Sequence, residues 1–369
     1  MKVLTVGANN ASTQNNTIMG LRALGVEVKG ISFESQISIY SDYSCISLPN
    51  LARGSNKRLA FSWWMKKFLS AFLFLKHVRW ADIIHCYSYL NLLPLGLDFL
   101  LLKAFRKPGV IEFQGSDIRV PATEMANNPF FIRAFSDPEY EYPDEAAAIH
   151  ASLSRQRRFA SLGFHAVVSA ALPLLNKSFF PSCSIVFHPS IVRNVCPIFP
   201  LENKKGPVVI AHAPSAPVAK GTKYIVKAIE NLKRMYEIEF VLINNIPLRQ
   251  ALELIEKCDI YVDQMIWGGY GIAAQQAMAL GKPVVCYLKP VLMENLYPDD
   301  IPLVNANVDN LEEKLGDLIR EPILRHKIGI RSRDYVERYH DHIRVAENLI
   351  KVYNSVLSSH ALSSLNSAQ

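Results

Sequence analysis

The chain has no run of about 20 uninterrupted apolar residues, the length that a membrane-crossing helix needs. The nearest approach, Tyr89–Phe105, is broken by Asn91, Pro94, Asp98 and Lys103. The apolar run that opens the chain is too short for a signal peptide. Cysteine is scarce, six in 369 residues, and no pair has metal-ligand spacing. A disulfide framework is not expected, and buried free thiols in a reducing, cytoplasmic setting fit best. Histidines and acids also lack a spacing that demands a metal, so none is expected. No G-x-G-x-x-G loop follows the first strand, which disfavours dinucleotide binding. Repeats and low-complexity blocks are absent. Acidic residues are outnumbered, 33 against 40 Lys and Arg, for a net charge of +7. Such a surface draws anions, whether anionic membrane, phosphorylated lipid or nucleotide sugar. No nucleic-acid motif accompanies the charge, so nucleic acid is not expected as a partner.

Half of the residues are apolar and a fifth are charged, the balance of a globular protein of two or three domains. Strands alternate with helices. Val3–Val6 is an apolar strand, and Thr13–Leu24 has helical periodicity closed by Gly25. Val26–Ser32, Ile83–His85, Gly109–Phe113, Ala166–Ser169 and Ser184–Phe187 are further strands. After a linker near Cys196–Gly206 the pattern restarts at Val208–His212. It continues through the helix Tyr224–Tyr236, the strand Phe240–Ile243, the helix Arg249–Lys257 and the strand Ile260–Asp263. Two successive βα runs imply parallel sheets covered on both faces. The Ser- and Ala-rich tail Ser358–Gln369 is expected to fray.

The richest stretch is Trp267–Val285, WGGYGIAAQQAMALGKPVV. A glycine turn, Gly268-Gly269-Tyr270-Gly271, runs into a helix at Ile272–Leu280. Gly281-Lys282-Pro283 ends that helix, and the strand Val284–Tyr287 follows. Glycines let backbone N–H groups approach a ligand, and the helix start behind them favours a phosphate or a sugar oxygen. A tight loop between two buried elements is the plainer alternative. The segment resembles the donor-site signature of family 4 retaining glycosyltransferases, on Gly269-Tyr270-Gly271 and on Ala277-Met278-Ala279-Leu280-Gly281-Lys282-Pro283-Val284-Val285. That family frames the segment with two glutamates. Gly268 and Gln276 occupy their positions here.

Three other stretches carry the same resemblance. In Val208–Lys223 a strand leads through two prolines to Lys220-Gly221-Thr222, where the family places a lysine on the donor diphosphate. The arginine usual shortly before it is Ser215. In Ile111–Val120, IEFQGSDIRV, the family's His-Gly-x-Asp becomes Gln114-Gly115-Ser116-Asp117. Glutamine can hydrogen-bond a sugar hydroxyl but cannot act as a general base. Asp117 serves either the acceptor side or loop bracing. At the first βα turn, Gly7 and Asn9 stand where the family lets backbone approach the donor, and helix capping by Ser12 or Thr13 is the alternative. His85 ends an Asp-Ile-Ile-His run like that of the family and is placed on the acceptor side, or else is a bonded structural histidine.

The resemblance implies the GT-B fold, two doubly wound Rossmann-like α/β domains facing across a cleft. The first, 1–197, would bind the acceptor, and the second, 198–340, the nucleotide sugar. Residues 341–357 would form a helix crossing back to the first domain, before the tail 358–369. The implied activity is that of a retaining hexosyltransferase. It would move a sugar from a nucleotide diphosphate sugar to a hydroxyl of a glycan or lipid-linked acceptor, without metal or other cofactor. In the family's proposed mechanism the leaving diphosphate helps deprotonate the acceptor. The implied catalytic positions are Lys220, Gln114 and Gly271. The donor side adds Gly7, Asn9, Ser215, Asn244, Gly269, Tyr270, Ile272 and Gln276. Two alternatives remain, a weakly active or inactive GT-B protein that binds a sugar nucleotide or glycan, and a sugar-nucleotide 2-epimerase. Arg58–Trp80 mixes aromatics with lysines and arginine, so it suits either a peripheral contact with the anionic inner membrane face or a buried helix with snorkelling lysines.

Overall fold

A computed structural model describes residues 1–7, 12–32, 45–47, 71–88 and 96–366. They form two compact units. The first unites Met1–Arg119, Ile149–Pro189 and His342–Gln369, and the second Val120–Ala148 and Ser190–Asp341. Residues 120–148 and 190–197, which the sequence reading gave to the first domain, thus group with the second unit.

Among the described residues the first unit holds seven strands: β1 (Lys2–Gly7), β2 (Glu27–Ser32), β3 (Cys45–Ser47), β4 (Ile83–Tyr87), β5 (Gly109–Phe113), β6 (His165–Val168) and β7 (Cys183–Ile185). They pair in the order β3-β2-β1-β4-β5-β6-β7, all parallel. The order reverses between β1 and β4, so the sheet is doubly wound. Side chains alternate between two apolar layers, as strand geometry dictates. Leu4, Ile84 and Ile111 face one layer, and Val3, Ile83 and Val110 face the other. The helices Thr13–Ala23 and His342–Asn366 cover the second layer through Ile18, Leu21, Val345 and Leu349. They touch at Gly20, where an added Cβ would lie 2.1 Å from the His342 carbonyl oxygen. The final helix runs to Asn366, well past residue 357 and through most of the stretch expected to fray.

The second unit holds β8 (Val208–His212), β9 (Ile238–Leu242), β10 (Ile260–Val262), β11 (Val284–Cys286) and β12 (Val304–Asn305). Their order is β12-β11-β10-β8-β9, again parallel, with the reversal between β10 and β8. Ile210, Ile225, Ile229, Ile260, Val262 and Leu315 build its core. In both sheets the loops after the strands gather at the carboxyl edge, where doubly wound sheets take ligands.

Cys86, Cys258 and Cys286 are buried free thiols, and burial pushes the Cys258 thiol up to about 12. Among the described residues, no helix is long and apolar enough to cross a membrane. Of the aromatic and basic segment 58–80, only 71–80 are described. They are helical, with Phe74 and Val78 in the first core and Phe72 exposed.

Candidate functional site

In the second unit the site grows from one carboxylate. Asp263 stands just after β10, fully buried. Its Oδ1 lies 3.0 Å from the ammonium of Lys220, and its Oδ2 accepts the Gly271 N–H at 2.7 Å. Lys220 closes the short helix Pro217–Lys220 after β8, and its own carbonyl accepts the Met265 N–H. The lysine and the glycine turn are therefore joined through Asp263. The sequence reading took Asp263 only as a strand end. Its acid side chain, in a strand otherwise apolar, was the signal.

Gln264 shapes the turn itself. Its amide donates to the Gly269 carbonyl, and its Oε1 accepts from the N–H groups of Trp267 at 2.6 Å and Ile266 at 3.2 Å. Gly268 has φ +79, and a Cβ there would sit 2.7 Å from Cβ of Lys289. Any side chain is therefore strained at this position. The Tyr270 ring lies in the interior, stacked on Tyr297, with its hydroxyl 3.0 Å from that of Tyr335 and 2.8 Å from Nε2 of His340. The Tyr270 side chain thus serves the core. Ile272 opens the helix Ile272–Ala279, which has no side-chain cap. Gln276 is half-buried on that helix, beside Gln275, whose Oε1 accepts from Ser190. Ser215 and Asn244 are exposed in the loops after β8 and β9.

Residues 120–148 reach the same carboxyl edge. Glu124 pairs with Lys289 at 2.6 Å, both buried. Asn128 donates to the Ile266 carbonyl, and Tyr142 lies against Trp267. Glu141 accepts the N–H groups of Val218 and Ala219, and Asp137 pairs with Lys223. His212 is buried. Burial lowers it to about 4, and its Nδ1–H donates to the Val262 carbonyl while Nε2 accepts from Thr222. It is a neutral part of the fold.

The first unit contributes a different cluster. Gly7 ends β1 with φ +145, where a Cβ would be 2.4 Å from the Tyr87 carbonyl oxygen. Asn9 lies outside the described residues. Asp117 accepts the N–H groups of Gln114 at 3.1 Å and Gly115 at 2.8 Å, so it braces its loop. Burial raises its carboxyl, partly offset by Arg155 and these N–H groups. His85 lies inside β4. Its Nδ1 is 2.6 Å from the Tyr353 hydroxyl, and its Nε2 is 3.3 Å from Glu112. The other oxygen of Glu112 is 3.1 Å from Nδ1 of His188, whose Nε2 is 3.1 Å from Ser169. Burial pulls the Glu112 carboxyl up, but hydrogen bonds from His188 and His85 outweigh it and hold it at about 2. The sequence singles out His85, and His188 directly follows the strand Ser184–Phe187 expected there. The sequence reading missed Glu112, although an acid in the run GVIEF was visible.

Against known proteins, residues 221–335 match the family described as glycosyl transferases group 1, which is part of the second unit. No curated protein matches the chain. Among solved structures it is similar to a sucrose-phosphate synthase from Thermosynechococcus elongatus, at 13% identity over 97% of this chain and 100% of that one, with TM-score 0.61. A glycosyltransferase from Rickettsia africae is 14% identical over 96% and 98%, TM-score 0.57. TarM from S. aureus, as a mutant in complex with fondaparinux, alpha-GlcNAc-glycerol and UDP, is 9% identical over 96% and 99%, TM-score 0.56. The two parallel sheets with flanking helices are thus the GT-B fold of glycosyltransferases.

Proposed function

We propose that the chain transfers a sugar from a nucleotide diphosphate sugar to a hydroxyl of a glycan or lipid-linked acceptor, with retention of configuration and without a metal. The second unit takes the donor and the first unit the acceptor. The observation that carries this reading is the joining of Lys220 to the glycine turn through Asp263. A lysine and free first-turn N–H groups at a carboxyl edge suit a diphosphate that gains charge as it leaves. Asp263 occupies the Gly271 N–H, so the donors offered from the turn are those of Ile272 and Ala273. Gln276 would bond the ribose hydroxyls. The match to glycosyl transferases group 1 and the UDP bound by TarM support the donor class.

A second reading is a binding protein without turnover. It is favoured by the pairing of Lys220 with Asp263, which leaves little net positive charge for a diphosphate. Calorimetric titration of UDP, GDP and ADP, with donor consumption and product stereochemistry, tests both. Binding with turnover is expected. Binding without turnover would select the second reading, and inversion would remove the retaining mechanism.

A further inference from the structure

Ser169, His188 and Glu112 make a hydroxyl–imidazole–carboxylate array in the first unit. Ser169 directly follows β6, His188 follows β7, and Glu112 is near the end of β5, so the array sits at the carboxyl edge of the sheet. The distances are 3.1 Å from Ser169 Oγ to His188 Nε2 and 3.1 Å from His188 Nδ1 to Glu112 Oε1. An ionised carboxylate only accepts, so the imidazole nitrogen facing it carries the proton. The other nitrogen then accepts from the Ser169 hydroxyl. This is the arrangement in which an imidazole takes a proton from a hydroxyl, with the carboxylate fixing the tautomer.

A purely structural role accounts poorly for it. The rest of β5 is Gly109, Val110, Ile111 and Phe113, and an apolar residue at 112 would avoid the cost of desolvating a carboxylate. Glu112 also has an imidazole near each oxygen. His85 Nε2 lies 3.3 Å from Oε2, and His85 is tied to Tyr353 through Nδ1. Gln114, two residues further along the same chain segment, offers no base. His188 brings an imidazole with a carboxylate behind it to that edge. Its side chain is 16% exposed, whereas that of His85 is fully buried.

We infer that Ser169, His188 and Glu112 form a relay that takes up the proton of the acceptor hydroxyl during glycosyl transfer. The inference rests on the transferase reading above, and it gives the proton a route other than the leaving diphosphate. The acceptor oxygen bonds the anomeric carbon as that carbon's bond to the diphosphate oxygen breaks, and the bonding pair leaves with the diphosphate. The acceptor proton moves to Ser169 Oγ while the hydroxyl proton of Ser169 moves to Nε2 of His188. Glu112 offsets the charge the ring gains. The proton passes to the diphosphate or to solvent before the next turnover. Glu112, His85 and Tyr353 are positioning residues.

The full-length chain tests this in two ways. Nitrogen-15 histidine NMR at pH 7, with His188→Gln for assignment, reads the tautomer. A ring protonated at Nδ1 and bare at Nε2 is expected. A doubly protonated ring, as in a simple ion pair with Glu112, overturns the relay. Transfer from UDP-glucose, UDP-N-acetylglucosamine and GDP-mannose to octyl glucoside reads the chemistry. His188→Gln should lower kcat about 100-fold or more and Ser169→Ala about 10- to 100-fold, the range of general-base assistance. UDP or GDP affinity should stay within about twofold, and Ser169→Thr, which keeps the hydroxyl, should retain most of the rate. Unchanged transfer in Ser169→Ala and His188→Gln overturns the relay and leaves the transferase reading intact. No turnover by the wild type with any of these donors overturns both.

Discussion

The two units carry buried charge at their carboxyl edges in different ways. In the first, one carboxylate, Glu112, lies between two imidazoles, His85 and His188. In the second, carboxylates face ammonium groups: Asp263 with Lys220, and Glu124 with Lys289. An imidazole has a nitrogen that can accept a proton, whereas an ammonium only donates. The first edge can therefore pass a proton and keep its hydrogen bonds. The second edge holds its charges fixed in closed pairs. Residues 120–148 supply Glu124 and Asp137 to that second edge, so this segment sets how much positive charge remains there.

Breaking a fixed pair should have the largest effect. Glu124→Ala leaves the Lys289 ammonium buried and uncompensated, and such losses cost about 3–5 kcal/mol. Urea unfolding should show that drop in the second unit. Asp137→Asn removes a pair whose lysine is exposed and solvent-screened, and no resolvable change in stability is expected. Equal effects from the two variants would erase the distinction between buried and surface pairing.

Acid should separate the units next. His212 in the second unit is lowered by burial from 6.5 to about 4, so the unfolded chain binds its proton first. The stability this contributes is full above pH 6.5 and is lost as pH falls towards 4. Glu112 in the first unit is held at about 2 against 4.5, so its contribution is present above pH 4.5 and lost as pH falls through 2. Each shift corresponds to about 3 kcal/mol at most. Hydrogen exchange at pH 7, 5 and 3 should show the second unit weakening first. His212→Gln should flatten its loss between pH 6.5 and 4, and Glu112→Gln should flatten the lower window. Loss of both units together at one pH would count against this account.

Much of the fold was legible because short contiguous apolar runs mark buried parallel strands. Gly109–Phe113 and Val208–His212 have the observed bounds, and the reversal of strand order follows from parallel βα units. The helices Leu311–Arg320 and Pro322–Tyr339 were not read. In the latter, Arg325 and Ser332 are buried among the apolar positions, which blurs the helical period. Arg325 fits there because it donates to the carbonyls of Leu318 and Ile319. At the site, Lys220 and the glycine turn were visible as motifs. Their link through Asp263, and the pairing of Glu112 with His188 across 76 positions, depend on strand order and have no local signature. The grouping of residues 120–148 with the second unit is hidden for the same reason.

Lys220→Ala probes the fixed-charge edge directly. If Lys220 contacts the diphosphate, nucleotide affinity should fall by about 1.5–3 kcal/mol, the worth of a charged hydrogen bond. Asp263 then loses its ammonium partner, so thermal stability should fall too. Calorimetry with UDP and GDP separates the two effects. Lower stability with unchanged affinity would leave Lys220 as a partner of Asp263 alone.

Introducing glutamates at 268 and 276 gives the smallest and most local test. At 268 the backbone is left-handed and packed against Lys289, so Gly268→Glu should cost about 1–3 kcal/mol of stability and should not raise activity. At 276 the backbone is ordinary helix and the side chain is half-buried, so Gln276→Glu should fold normally. A carboxylate bonds ribose hydroxyls more strongly than an amide. Gln276→Glu should therefore change nucleotide affinity by about tenfold or less, about 1.4 kcal/mol, while Gln276→Ala lowers it. The two substitutions separate the backbone constraint at 268 from the ligand contact proposed for 276. If Gly268→Glu proves as stable as wild type, the close contact with Lys289 is not what keeps a glycine at 268. If neither change at 276 moves nucleotide affinity, Gln276 does not face the ribose.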